Sequence, residues 1–208
     1  MNLLLFDISI FSAAQLILVI ALLFIGFKYV ETFWSYRISK PFAWETAVNQ
    51  KVISKELLKT ERSFRDKVRF YNLWFQIEQL KKNEVKGAFA ELGVYEGDTA
   101  KAIHQMDNQR VFYLFDTFEG FVKKDLVHEQ QKGDRFSTDM FSETSIDKVE
   151  KHINGNQNIR LKPGFFPDTT IGLENELFAL VHIDADLYAP TVEALEFFYP
   201  RVNKGGVI

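Results

Sequence analysis

The distribution of apolar and polar positions separates an apolar head from a longer, mixed body. From Ile8 to Phe27 there are 20 consecutive uncharged residues, 16 of them apolar. At about 1.5 Å per residue such a helix reaches roughly 30 Å, the thickness of a bilayer's hydrocarbon core. It is long for a core helix. The basic n-region and A-x-A-like site of a cleaved signal peptide are both missing. Residues 1–27 therefore read as a transmembrane anchor, in contact with the lipid bilayer through residues 8–27. Lys28, Arg37 and Lys40 follow the span and no Lys or Arg precedes it. That asymmetry predicts a single-pass protein with a short outer N-terminus and its body in the cytoplasm. Tyr29, Phe33, Trp34 and Tyr36 are placed like an interfacial aromatic belt.

Residues 28–55 read as a connector, with Pro41 interrupting any continuous helix. From Glu56 to Lys82 the period becomes helical: Leu57, Phe64, Val68, Tyr71 and Phe75 fall on one face, which Phe70, Trp74 and Ile77 widen. Arg62, Arg65, Lys67 and Arg69 lie largely elsewhere and read as solvated. Beyond Gly87, strands alternate with helices: strands at Ala88–Leu92, Val111–Phe115, Ile159–Lys162 and Phe178–Ile183, and a fifth beginning at Gly205. The intervening helices are Asp98–Gln105, Ser142–His152, with Ser142 and Ser145 both suited to cap it, and Thr191–Tyr199. Lys123–Asp139 lacks periodicity and reads as a loop or lid. This alternation predicts an α/β domain over 56–208 with a parallel sheet, truncated in strand five.

Composition narrows the function classes. The net charge of −3 leaves no basic footprint, so nucleic acid is not an expected partner. The absence of cysteine excludes disulfides and thiolate metal sites.

Three segments could carry chemistry. Ala90-Glu91-Leu92-Gly93-Val94-Tyr95-Glu96-Gly97-Asp98 lies between the first strand and the next helix, where parallel sheets bind ligands. Gly93 and Gly97 let the backbone approach a ligand, and helix N-terminal amides face it. The pattern Glu-x-Gly-x-x-x-Gly is not the Gly-x-Gly-x-x-Gly of dinucleotide sites, which disfavours NAD. A carboxylate at Glu91 would repel a phosphate but suit an ammonium group. Asp116, 25 residues on and closing the second strand, is placed to bond ribose hydroxyls, or else is a turn aspartate. At the end of the fourth strand, Asp184 and Asp186 could offer oxygen ligands to Mg²⁺, or one ligand and one orienting group. Asp186 could instead cap the following helix. His182 reads as a core histidine, His128 as a freer proton acceptor in the lid, and His104 and His152 as surface residues.

Four blocks, "ELGVYEGDTAKAI", "VFYLFDTFEGF", "LKPGFFPDTT" and "VHIDADLYAPTVEALEFFYPRVNKGGVI", resemble in order and spacing the motifs of the TylF/MycF macrocin O-methyltransferase family. The resemblance runs from about residue 56 to the last. It implies a Rossmann-like class I methyltransferase fold, S-adenosylmethionine as methyl donor, and Mg²⁺-dependent transfer to a hydroxyl of a saccharide or glycoside. By position, Glu91, Gly93 and Asp116, with Gly97 in the same turn, would contact the donor. Asp184 would be the catalytic metal ligand, with Asp186 beside it. In the family the strand beginning "GGVI" continues into two adjacent aspartates that add metal ligands, and the transmembrane segment is not part of the usual pattern.

The leading expectation is thus a saccharide O-methyltransferase at the cytoplasmic membrane face. The alternative is an inactive, membrane-tethered remnant or interaction module. With strand five barely begun, strand four is expected to present an open edge, which favours pairing with another chain, a homo-oligomer included.

Overall fold

Strands buried on both faces read as nearly continuous apolar runs, and two segments come close, interrupted only by Glu91 in the first and His182 in the second. In the computed structural model, which describes residues 10–35, 40–121, 126, 137 and 140–208, β1 (Ala88–Leu92) is buried along its whole length. The first four residues of β4 (Phe178–Ile183) are buried as well. These two pair at the centre of a five-stranded parallel sheet of order β3-β2-β1-β4-β5. Strand β2 (Phe112–Asp116) flanks β1, while the edges β3 (Ile159–Pro163) and β5 (Val202–Val207) are more exposed. The α/β, Rossmann-like sheet expected from the strand–helix alternation is present.

Helices cover both faces. On one side Leu57 of α3 (Lys55–Ser63), Phe70 and Ile77 of α4 (Lys67–Lys82), Ile103 of α5 (Asp98–Met106) and Val149 of α6 (Ile146–Ile153) pack on Phe89 and Leu114. On the other, Ala194 and Phe198 of α7 (Tyr188–Phe198) pack with Phe115, Phe166 and Phe178. Two short 3₁₀ turns, Asp168–Thr170 and Tyr199–Arg201, complete the body.

Several expectations need correction. The helix expected over 56–82 is two. Asp66 starts α4 by accepting the Arg69 N–H at 3.0 Å, after an extended Phe64 ends α3. That break resets the phase, so Phe70, Trp74 and Ile77 form the buried face while Val68 and Phe75 are exposed. Lys67 is not solvated: it is buried against Glu61, whose carboxylate also meets Lys40 Nζ and the Tyr71 hydroxyl at 3.0 and 2.9 Å. The segment expected to be a connector contains α2 (Phe42–Asn49), and its Trp44 is fully buried in edge contacts with Phe70, Tyr71 and Trp74. Ser145, not Ser142, caps α6, accepting from Lys148 N. Helix α7 begins at Tyr188, and Asp186 does not cap it. Strand β5 starts at Val202 and pairs with β4 through Phe178–Val202 and Leu180–Val207, so the edge strand is β5 rather than β4.

Helix α1 (Ile10–Ser35) is long and apolar enough over Phe11–Glu31 to cross a membrane, and none of that stretch is buried by the rest of the chain. Lys28 and Glu31, one turn apart, pair at 2.8 Å near its end.

Candidate active site

The order of the strands reverses direction at β1, whose neighbours β2 and β4 lead to opposite edges. Open parallel sheets bind ligands beyond their carboxyl ends at such a point. A cavity of about 320 Å³ lies there, walled by Gly93–Thr99, Asp116, Thr117, Gly164–Phe166, Asp184–Leu187 and Arg69, among others. Its size falls within the range of small-molecule sites.

The turn 93–97 owes its shape to backbone geometry. Gly93 has φ +88°, and a Cβ there would lie 2.1 Å from the Asp184 carbonyl oxygen. Only glycine lets the ends of β1 and β4 close to the bond from Asp184 N–H to Leu92 O, 2.8 Å. Tyr95 also takes a left-handed conformation, and Gly97 supplies the left-handed N-cap of α5. Asp116 holds the turn in place. Its Oδ2 accepts from the Val94 and Tyr95 amides at 2.7 and 2.9 Å, and its Oδ1 from Phe118 N at 2.8 Å. By its bonds Asp116 is the turn aspartate that was one of the two readings of it, and it also lines the cavity.

Glu91 is placed otherwise than its motif suggests. It is buried at 1% exposure, lies outside the cavity lining, and its Oε1 meets His182 Nδ1 at 3.0 Å. The reason is register: Glu91 and His182 are partners across β1 and β4, so both side chains leave the same face of the sheet. Burial raises the Glu91 pKa, outweighing the opposing effect of His182. Burial opposes a charge on His182 too, but the bond to Glu91 and the nearby carboxylates outweigh it, and its pKa is raised. Glu91 Oε2 is buried without a hydrogen-bond partner among the described residues, an acceptor left over at the base of the turn.

At the end of β4 both expected carboxylates reach the cavity. Asp184 Oδ2 is taken by Arg69 Nη1 at 2.7 Å. Asp186, at φ +58°, has no hydrogen-bond or ion-pair partner among the described residues. Its pKa is raised by burial first and by the Asp184 charge second, with Arg69 opposing. Among the described residues no three His, Asp or Glu side chains converge as a metal site. His128 lies outside the described residues. His104 is buried rather than at the surface, and its Nε2 accepts from Asn156 N at 3.3 Å. His152 Nε2 meets Asp98 at 2.7 Å.

Two features escaped the sequence. Arg69 resembles its exposed basic neighbours and lies 115 residues before Asp184. The aromatic wall joins Tyr95, Phe141 and Phe121, with successive ring centroids 5.0 and 5.2 Å apart. Only the Gly-rich context of Tyr95 hinted at it.

The comparisons with known proteins agree with this architecture. The solved O-methyltransferase NovP superposes with a TM-score of 0.56 at 23% identity, covering 69% of this chain and 64% of that one. CalS11, the calicheamicin methyltransferase, gives 0.57 at 20%, covering 82% and 78%. The mycinamicin III 3''-O-methyltransferase of Micromonospora griseorubida is 28% identical over 155 residues, 66% of this chain and 59% of that protein. The 8-demethyl-8-(2,3-dimethoxy-alpha-L-rhamnosyl)-tetracenomycin-C 4'-O-methyltransferase of Streptomyces olivaceus is 26% identical over 158 residues, 67% of this chain and 58% of that protein. The chain thus spans under three fifths of the length of these curated relatives. The family model for macrocin-O-methyltransferase (TylF) matches residues 49–208, and with most of its length so matched the chain belongs to that family.

Proposed function

We propose that this chain carries the donor site of an S-adenosylmethionine-dependent O-methyltransferase whose acceptor is a hydroxyl of a saccharide or glycoside. The observation that supports it most is the acidic cavity at the sheet's switch point. Glu96, Asp98, Asp116, Asp184 and Asp186 line it against the single guanidinium of Arg69. Such a field suits a sulfonium and an ammonium and repels phosphate. The residues fit the donor: turn 93–97 and Asp116 would hold the nucleoside portion. The unpaired Oε2 of Glu91 would help hold the amino group if the base of the turn opens. When bound, S-adenosylmethionine supplies a methyl group activated by its positive sulfur. The saccharide acceptor is suggested by the Streptomyces olivaceus relative, whose name describes O-methylation of a rhamnosyl-tetracenomycin.

The chain's own part is to position and to take a proton. Of the two carboxylates that follow β4, Asp184 is engaged by Arg69, which leaves Asp186 available to a hydroxyl in the cavity. Its raised pKa makes it a stronger base than an ordinary aspartate. The aromatic wall of Tyr95, Phe121 and Phe141 would exclude water and offer faces for stacking. The donor set among the described residues does not fit Mg²⁺, which needs octahedral oxygen coordination. One of its two carboxylates is occupied by a cation already.

We further infer that α1 spans a bilayer with the α/β body on its basic, cytoplasmic side, supported by its apolar length and by Lys28, Arg37 and Lys40 beyond the apolar run. A reporter fused after Ile208 should then read as cytoplasmic; an external readout refutes this orientation. Calorimetry of the full chain in detergent micelles tests the donor. S-adenosylhomocysteine should bind and NAD should not, and NAD binding as tightly or more tightly would refute the assignment.

A further inference from the structure

We propose that Arg69 is the positioning residue of the cavity: its guanidinium is the resident cation of Asp184 and competes with any divalent cation for that carboxylate. Arg69 stands in the first turn of α4, with Asp66 as the N-cap. Its Nη1 meets Asp184 Oδ2 at 2.7 Å and its Nε lies 3.7 Å from Asp66 Oδ2. An arginine held by two carboxylates, one on its own helix, has less freedom to swing away than one held by a single partner. The pair also joins the helical layer to the carboxyl end of β4, where no other ion pair among the described residues crosses from α4 to the cavity.

The consequence is electrostatic. A divalent ion on Asp184 would sit within a few ångströms of the guanidinium, with Asp186 the other carboxylate at the end of β4. Charges of +2 and +1 at about 5 Å repel enough, even in a water-like dielectric, to lower affinity on the order of tenfold. The cation must displace Arg69 or bind beside it, and either course is unfavourable. Asp184 is thereby held in place by Arg69, and Asp186 is left to face the cavity.

Manganese(II) is the probe, since carboxylate and water ligands suit it and its free form is read directly by electron paramagnetic resonance. The full chain in detergent micelles is titrated as wild type, R69Q, R69K, D184N and R69Q/D184N, with thermal melting as the folding control. R69Q should bind Mn²⁺ about tenfold more tightly than wild type, R69K should stay near wild type, and D184N should abolish the gain in the double variant. D184N alone should change affinity less than twofold, because Asp184 is already taken. That comparison stands even if R69Q fails to fold. Equal affinity in R69Q and wild type, a gain that persists in R69Q/D184N, or a tenfold loss in D184N alone would each overturn the proposal. The readout is cation binding, so it is independent of whether the chain transfers methyl groups.

Discussion

Gly93→Ala should be strongly destabilising, since its added methyl meets backbone at the shortest distance found for Gly87, Gly93, Gly97, Gly155 and Gly206, and its cost can be built up from the structure. The new Cβ would stand 2.1 Å from the Asp184 carbonyl oxygen and 2.7 Å from its carbon. Ordinary contact begins at 3.4 Å, so the ends of β1 and β4 must part by roughly 1.3 Å. The bond from Asp184 N–H to Leu92 O is then broken or stretched, at about 1 kcal/mol. Overpacking of a close backbone contact adds about 1–3 kcal/mol, and alanine at φ +88° about 1 kcal/mol more. The total is about 3–5 kcal/mol, a large share of the roughly 5–15 kcal/mol that holds an ordinary domain. Gly172→Ala is the matched control, with φ +84° and nothing within 4 Å of its Cβ. It should cost about 1 kcal/mol, from the backbone alone. Urea unfolding of the full chain in micelles, followed by the fluorescence of Trp44 and Trp74, measures both. The reasoning fails if Gly93→Ala costs no more than Gly172→Ala, for then strand approach does not require the glycine.

Asp116→Ala removes the acceptor of three backbone amides and should weaken S-adenosylhomocysteine binding at least tenfold by calorimetry, whereas unchanged affinity would show the turn to be held by other means. Trp44→Ala should destabilise the body by about 3–5 kcal/mol in the same urea assay, since the ring is fully buried among Phe70, Tyr71 and Trp74. Burial works to raise the Glu61 pKa, but the bonds from Lys40 and Tyr71 and the charge of Lys67 hold it below its ordinary 4.5. Its stabilising share is therefore complete above pH 4.5 and lost as pH falls through the lowered value, so Glu61→Gln should flatten the acid limb of the stability–pH curve.

The alternation of apolar strands and amphipathic helices dictated the α/β class, because a parallel strand buried on both faces reads as a nearly continuous apolar run. The limits of β1 and β4 were legible to the residue for the same reason. So was the convergence of the candidate site's residues: a Gly-containing turn after β1 and carboxylates ending β2 and β4 lie together at the sheet's carboxyl edge once the strands are parallel. What the linear pattern left open was phase and partnership. A three-residue break between α3 and α4 rotates every later side chain, so Val68 and Phe75 faced solvent and Lys67 turned inward. Pro41 marked a boundary without showing that Trp44, three residues later, belonged to the core. Glu91 carried the same chemical signature with or without a partner inside the fold, and the register of β1 on β4 set its Oε1 against His182. Periodicity speaks for a residue's own helix or strand. The bond from Arg69 to Asp184 joins two elements 115 residues apart, and only their packing across the sheet could decide it.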